Sequence, residues 1–322
     1  MNDVTIGVRW NIKLSMPSDR LITMLLLNCT GYGGLRNDVL FFGRPGPASS
    51  NVVYIGGDIQ DTECNMQSHP EKRGFVKWSL EATGRLLVER YALQGRNVHL
   101  WMIRPCQWVS NVFASYRNFV SVDPNGNPIL SDSIPTNSDL VEHLSSLIED
   151  AATKVRKHKP EIATGFEGIP VTVIGFSKGC CVLTGLLYIL SACKPYTLRE
   201  SGLLVPSDGA KRFLSNIRAL YWLDAGHSAV EHQWPTSEAN LSVLRRTACP
   251  ELHAYATPYQ VEDKLRPWKA RDYHTFIGLL AKYALPHKHA VLFKDEQTKR
   301  KEQLPDTADI QTHFTVLKHF LL

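Results

Sequence analysis

Ser177 stands in Gly175-Phe176-Ser177-Lys178-Gly179, between an apolar, β-branched run at 169–174 and an apolar stretch at 180–192 that carries Leu183, Leu186, Leu187 and Leu190. The first run is long enough for a buried strand and too short for a helix, and the second has the composition of a helix. A serine on the sharp turn between them is held in a strained backbone above the sheet. Glycines two residues before and two after it let strand and helix approach closely. Such a hydroxyl can act as a nucleophile. With 21 glycines in 322 residues the pattern also arises by chance, leaving Ser177 an ordinary turn residue, but the flanking strand and helix argue for the nucleophile.

A free hydroxyl is a weak nucleophile near neutrality, so it needs a general base and an acid that orients the base. In chains with this turn the two follow the serine in the order acid, then histidine, and they lie beyond the carboxyl ends of strands. Asp263, in Thr257-Pro258-Tyr259-Gln260-Val261-Glu262-Asp263, is the expected acid, and Asp224, in Leu223-Asp224-Ala225-Gly226-His227, is the alternative one strand earlier. Among twelve histidines His313 is best placed, where a final helix begins. His227 could line the pocket, His274 reads as a helix-face residue, and His319 falls two turns inside the last helix. The oxyanion of an acyl-transfer intermediate needs backbone N–H groups. One would come from Lys178, directly after the nucleophile, and a second from Gly57 or Asp58 in Val53-Tyr54-Ile55-Gly56-Gly57-Asp58. A double glycine is also an ordinary tight turn.

The elements that must carry these groups alternate along the chain. Strands are expected at 39–42, 52–55, 98–103, 169–174, 217–223, 251–256 and 290–293, and helical spacing at 75–93, from Ser138 to before Pro160, and at 180–192, 240–246, 268–283 and 310–321. Helices alternating with short apolar strands imply a mostly parallel central sheet with helices on both faces, and the Ser177 turn makes this an α/β-hydrolase fold. The segment 105–137, with Trp108, Phe113, Tyr116 and Phe119, is long for a connection and reads as a lid or acyl pocket, or as aromatics packed on the core.

Composition narrows the classes. A chain of 322 residues, 43% hydrophobic, can bury one enzyme-sized domain. The 36 basic and 31 acidic residues form no basic stripe, so nucleic acid is not implied. Seven scattered cysteines lack paired zinc spacing and read as reduced intracellular thiols, with Cys180 and Cys181 packing the helix after Ser177. The nine-residue apolar run at 21–29 is too short to span a bilayer. Upstream of it, Ile6, Val8, Trp10, Ile12 and Leu14 alternate with polar residues, the period of a strand rather than of an import helix. The charged run 294–302 reads as a solvated loop.

Gly56-Gly57-Asp58-Ile59-Gln60, Tyr116-Arg117-Asn118-Phe119-Val120, Ile174-Gly175-Phe176-Ser177-Lys178-Gly179-Cys180, Tyr221-Trp222-Leu223-Asp224-Ala225-Gly226-His227-Ser228 and Thr257-Pro258-Tyr259-Gln260-Val261-Glu262-Asp263 together resemble the animal family named after open reading frame sixty-nine of human chromosome two. The resemblance runs from about Val39 to the carboxyl terminus. It implies an α/β-hydrolase-like serine hydrolase without a settled substrate, associated with mitochondria, whose nucleophile, acid and histidine match Ser177, Asp263 and His313. Where that family has Pro-Gly-Asp this chain has Gly56-Gly57-Asp58, which leaves the backbone role intact. The first forty residues differ from the family's amino terminus, so a cytosolic location is the alternative to a mitochondrial one. The expected activity is cleavage of an acyl ester or thioester on a small molecule or lipid, through an acyl-enzyme and without metal or organic cofactor. The alternative is a binding or scaffold protein that keeps the fold without the chemistry.

Overall fold

The computed structural model describes residues 21–193, 204–226, 234–245, 249–294 and 309–322. The alternating segment 6–14, His227 and most of the charged run 294–302 lie outside the described residues. The strands are β1 (Ile22–Thr30), β2 (Arg36–Gly43), β3 (Ser50–Ile55), β4 (Val98–Ile103), β5 (Gln107–Val109), β6 (Phe113–Ser115), β7 (Val171–Phe176), β8 (Ile217–Leu223), β9 (Glu251–Ala256) and β10 (His287–Val291). The helices are α1 (Glu63–Ser68), α2 (Leu80–Leu93), α3 (Asp139–His158), α4 (Cys180–Ala192), α5 (Asp208–Asn216), α6 (Glu238–Leu244), α7 (Pro258–Val261), α8 (Trp268–Lys282) and α9 (Ile310–His319).

One sheet runs in the order β1-β2-β4-β3-β7-β8-β9-β10. β2 lies antiparallel to β1 and β4, and every pairing from β4 onward is parallel. This is the α/β-hydrolase fold. β3, β4 and β7 are buried at every residue, which is why they read as continuous apolar runs: helices cover both of their faces. α2 and α9 pack on one face, with Leu80, Leu87, Tyr91, Phe314 and Leu317 against Phe42, Tyr54 and Phe176. α3, α4, α6 and α8 cover the other, around Trp101, Val173 and Trp222.

The register aligns the carboxyl ends of the central strands. Ile55 pairs with Gly175, Phe176 with Leu223, Leu223 with Tyr255, and Ala256 with Val291. The residues that follow them therefore emerge side by side along one edge, neighbouring strands being about 4.8 Å apart.

Several elements differ from the sequence reading. β10 covers 287–291 rather than 290–293; its His-Lys-His start suits an exposed edge strand, where charge guards unpaired backbone. α1 and α5 are short and polar, α5 burying Ala210 and Phe213 on one face. The segment 105–137 holds a hairpin: Ser110 and Asn111, with φ of 52° and 58°, form the turn between β5 and β6, closed by the Val112 N–H on the Val109 carbonyl.

Two buried histidines make the fold sensitive to acid. His99 on β4 packs against Phe41 and Trp101, and His143 on α3 meets Asn37 Oδ1 at 2.9 Å through Nε2. Burial pulls each from an ordinary value of 6.5 down to about 4. The unfolded chain then takes up protons that the folded one refuses, so stability is full above pH about 6.5, falls between there and pH about 4, and loses no more from these groups below that. Urea melts across this window should show the decline, at most about 1.4 kcal/mol per pH unit from His99. His99→Phe should flatten it in part, and an unchanged slope would exclude His99 as the source.

Candidate active site

Ser177 lies directly past β7, in a short turn before α4, with φ 53°. A Cβ on Gly175 would stand 2.9 Å from the Cys180 Cα, and one on Gly179 would stand 2.3 Å from the Ile55 carbonyl oxygen and 2.5 Å from that of Gly56. Only glycine permits either approach. α4 is apolar on all sides and buried between sheet and neighbouring helices, so the turn it begins is held rigidly. Cys180 and Cys181 are both buried, and burial pushes the Cys181 thiol up to about 12. They pack the helix and supply no thiolate near neutrality.

Asp224 is the first residue after β8, fully buried and with φ 49°. Its backbone N–H donates to the Tyr255 carbonyl at 2.7 Å. Oδ1 accepts the Thr257 N–H and Oδ2 the Thr257 hydroxyl, each at 2.7 Å. Oδ2 also meets Nδ1 of His313 at 2.6 Å, across 89 residues of sequence. His313 sits in the first turn of α9, whose N-cap Asp309 accepts the N–H groups of Gln311 and Thr312. Its ring is packed between Phe176 and Tyr259, at centroid distances of 4.6 and 4.8 Å.

The expectation for Asp263 is therefore corrected. Its Oδ2 is taken by Arg266 Nε at 2.5 Å and Lys269 Nζ at 3.4 Å, and its Oδ1 by the Leu265 N–H. Burial alone would raise its carboxyl, but Arg266 and Lys269 outweigh this and hold it below the usual range. The physical reason is distance from the sheet: Asp224 leaves β8 one strand from Ser177, whereas Asp263 follows β9 only after α7 has carried the chain away. His274 lies exposed on α8, as read.

Ser177 and His313 line one pocket of about 150 Å³ with Asp58, Ile59, Phe113, Tyr259 and Lys269. Among the described residues no hydrogen bond joins the Ser177 hydroxyl to His313; such contacts are often long without ligand and tighten around substrate. Gly57 packs on the nucleophile, a Cβ there standing 2.8 Å from that of Ser177. Its N–H already donates to Gln60 Oε1 at 3.2 Å. The Lys178 side chain is buried and its Nζ lies 3.2 Å from Asp58 Oδ1, which also accepts the Ala114 N–H at 3.0 Å. Burial raises the Asp58 carboxyl above its ordinary value, with Lys178 pulling it back.

Of the aromatics expected in the pocket, Phe113 lines it. Tyr116 is buried beneath, its hydroxyl donating to the Gly56 carbonyl at 2.7 Å, and Trp108 is stacked by Lys72 and Arg104. Sequence reasoning missed Gln60, Thr257, Tyr259 and Lys269. Three of these lie within the quoted blocks, whose composition alone names no role. A larger groove of about 670 Å³ between α3 and α5 contains none of these groups.

A family model described as C2orf69 matches residues 26–168 and 164–286. The chain belongs to the C2orf69 family. It is similar to "Mitochondrial protein C2orf69 homolog" of Danio rerio, 29% identical over 283 residues, covering 84% of this chain and 73% of the relative. It is 26% identical over 343 residues to "Mitochondrial protein C2orf69" of Homo sapiens, covering 92% and 82%. These names carry the mitochondrial location that the resemblance implied. Similar solved structures include esterase Est22, at 12% identity and TM-score 0.46 over 92% of this chain and 75% of that one, and brefeldin A esterase, at 15% and 0.40 over 87% and 71%. A lipase/esterase from Lactobacillus plantarum gives 11% and 0.42 over 88% and 96%. The C2orf69 model ends before His313, so the histidine is placed by the fold alone.

The two acids separate by substitution in this C2orf69 chain. Asp224→Asn should lower ester turnover on the order of 10³-fold or more by disturbing the imidazole tautomer. Asp263→Asn should lower it less than about tenfold, and the reverse ranking in kcat would return the acid to Asp263.

Proposed function

We propose that the protein is a serine hydrolase of acyl esters or thioesters. The observation that carries this reading is the buried Asp224–His313 hydrogen bond of 2.6 Å beside a serine held at φ 53° in the same pocket. The Ser177 oxygen attacks the acyl carbonyl carbon and its proton passes to Nε2 of His313, since Nδ1 is held by Asp224. The N–H groups of Lys178 and Asp58 receive the developing oxyanion. The intermediate collapses as His313 protonates the departing alcohol or thiol, and water, deprotonated by His313, then releases the acid and restores Ser177. Asp224 keeps the imidazole oriented and stabilises it once charged. The proposed setting is the mitochondrion.

A fluorophosphonate tests the reading directly, because only an activated serine displaces its fluoride. Wild-type protein should be labelled at Ser177 and should cleave short activated esters. Ser177→Ala should lose both while its thermal midpoint moves little, the side chain making no hydrogen bond with a described residue. A folded wild type that neither labels nor turns over any ester or thioester leaves the fold as a binding scaffold.

Lys178 separates backbone from side chain. Lys178→Met keeps the N–H and most of the volume but strands the Asp58 carboxylate. Since Asp58 reaches the pocket, the cost should be about 2 kcal/mol in urea unfolding, below the 3–5 kcal/mol of a fully buried pair. Labelling should persist, and its complete loss in folded protein would show that the side chain itself is required.

A further inference from the structure

Lys269 is a cation in an unexpected place. It begins α8, is only 4% exposed, and still forms part of the wall of the pocket that holds Ser177 and His313. Tyr259 stands between the two: its ring lies 4.8 Å from the His313 ring and carries the Lys269 ammonium 5.1 Å from its centre. The amine is therefore about one aromatic ring away from the base.

Among the described residues Lys269 touches one carboxylate, and that carboxylate is shared. Lys269 shares the same oxygen of Asp263 with Arg266, and Arg266 holds it at 2.5 Å against 3.4 Å for the amine. Two cations thus face one carboxylate. The carboxylate that lines the pocket, Asp58, has Lys178 at 3.2 Å, and Asp224 is engaged by Thr257 and His313. Among the residues lining the pocket Lys269 is the single lysine or arginine. Burial lowers its pKa and Arg266 lowers it further, and Asp263 and Asp224 only partly offset this, so a further negative partner would favour the charged amine. Beside Gln260 the rest of the wall is mostly apolar, with Ile59, Val112, Phe113, Phe176 and Phe314, and the volume of about 150 Å³ is well below the roughly 300–1,000 Å³ that takes drug-sized ligands.

We infer that Lys269 is a specificity-determining residue, and that the substrate is a short acyl ester or thioester carrying a carboxylate or other anionic group that the Lys269 ammonium receives while the acyl carbon lies at Ser177. The inference rests on the hydrolase reading above. The apolar wall takes the few carbons between carbonyl and anion, and a long neutral chain gains nothing from the amine. In low-dielectric surroundings an ammonium–carboxylate contact is strong and directional, so it selects between substrates that differ only in that charge.

Four fluorophosphonates make the test independent of which substrate is used in the cell. In one pair a carboxylate, or its methyl ester, ends the alkyl chain on phosphorus; in the other the same groups end the alkoxy chain. In each case the Ser177 oxygen forms a bond to phosphorus, fluoride leaves, and the proton goes to His313. The second-order labelling rates of the charged and esterified probe, taken on the same enzyme sample, give a ratio that cancels any general loss of activity. Wild type should favour the carboxylate at least tenfold on one arm, which also tells whether the anion lies on the acyl or the leaving-group side. Lys269→Met should bring that ratio to about one, and Lys269→Arg should keep much of it. Ratios at or below one on both arms, or a wild-type ratio in Lys269→Met, overturn the assignment. Absence of labelling by all four probes overturns the hydrolase reading and this inference with it.

Discussion

Gly179 lies so close to the end of β3 that a methyl group on it would sit 2.3 Å from the Ile55 carbonyl oxygen, and one on Gly57 would sit 2.8 Å from the Ser177 Cβ. These approaches make the turn after β3 and the turn after β7 one packed unit. Ser177 and the N–H groups proposed to serve it are held together, because at each approach only a glycine hydrogen fits. Tyr116 from below, Gln60 from α2's side and the Lys178–Asp58 ion pair fasten the same unit. Parallel register then brings Asp224 alongside, one strand away.

The carboxylates of the site are each answered within a few ångströms. Asp224 has Thr257 twice and His313 once, Asp58 has Lys178 and a backbone N–H, and Asp263 has Arg266. A buried carboxylate without such partners would be too costly to remain ionised. The position of every acid thus reports which cation or donor claimed it, and it is Asp224, not Asp263, that meets His313.

The central sheet was legible because β3, β4 and β7 are covered on both faces and so are written as unbroken apolar runs, and the Ser177 turn because two glycines are forced by contact. His313 was legible from order, as the histidine opening a helix near the end. The acid was not. Asp224 and Asp263 both follow strands, and what separates them is a backbone at φ 49° and a threonine on the neighbouring strand's exit, neither of which leaves a local pattern. For Trp108 and Tyr116 the packed alternative is the one the structure shows, and for a related reason the sequence left both open: an aromatic in a long connection looks the same whether it meets substrate, a cation or a carbonyl. Lys269 gave no signal, since a lysine near a helix start is ordinarily solvated.

α9 has a separate consequence. It carries His313, yet it touches the sheet mainly through Phe314, Val316, Leu317 and Phe320 on one face, joined by Arg90 to the carbonyls of Leu317 and Phe320. Detaching this single helix would expose far less apolar surface than melting the sheet, so partial opening is the cheaper fluctuation. In that opened form the Ser177 turn would stay intact while His313 would have left it. On the hydrolase reading, competence of the site would then follow the docking of this one helix rather than the integrity of the whole molecule, as a latch rather than a melt.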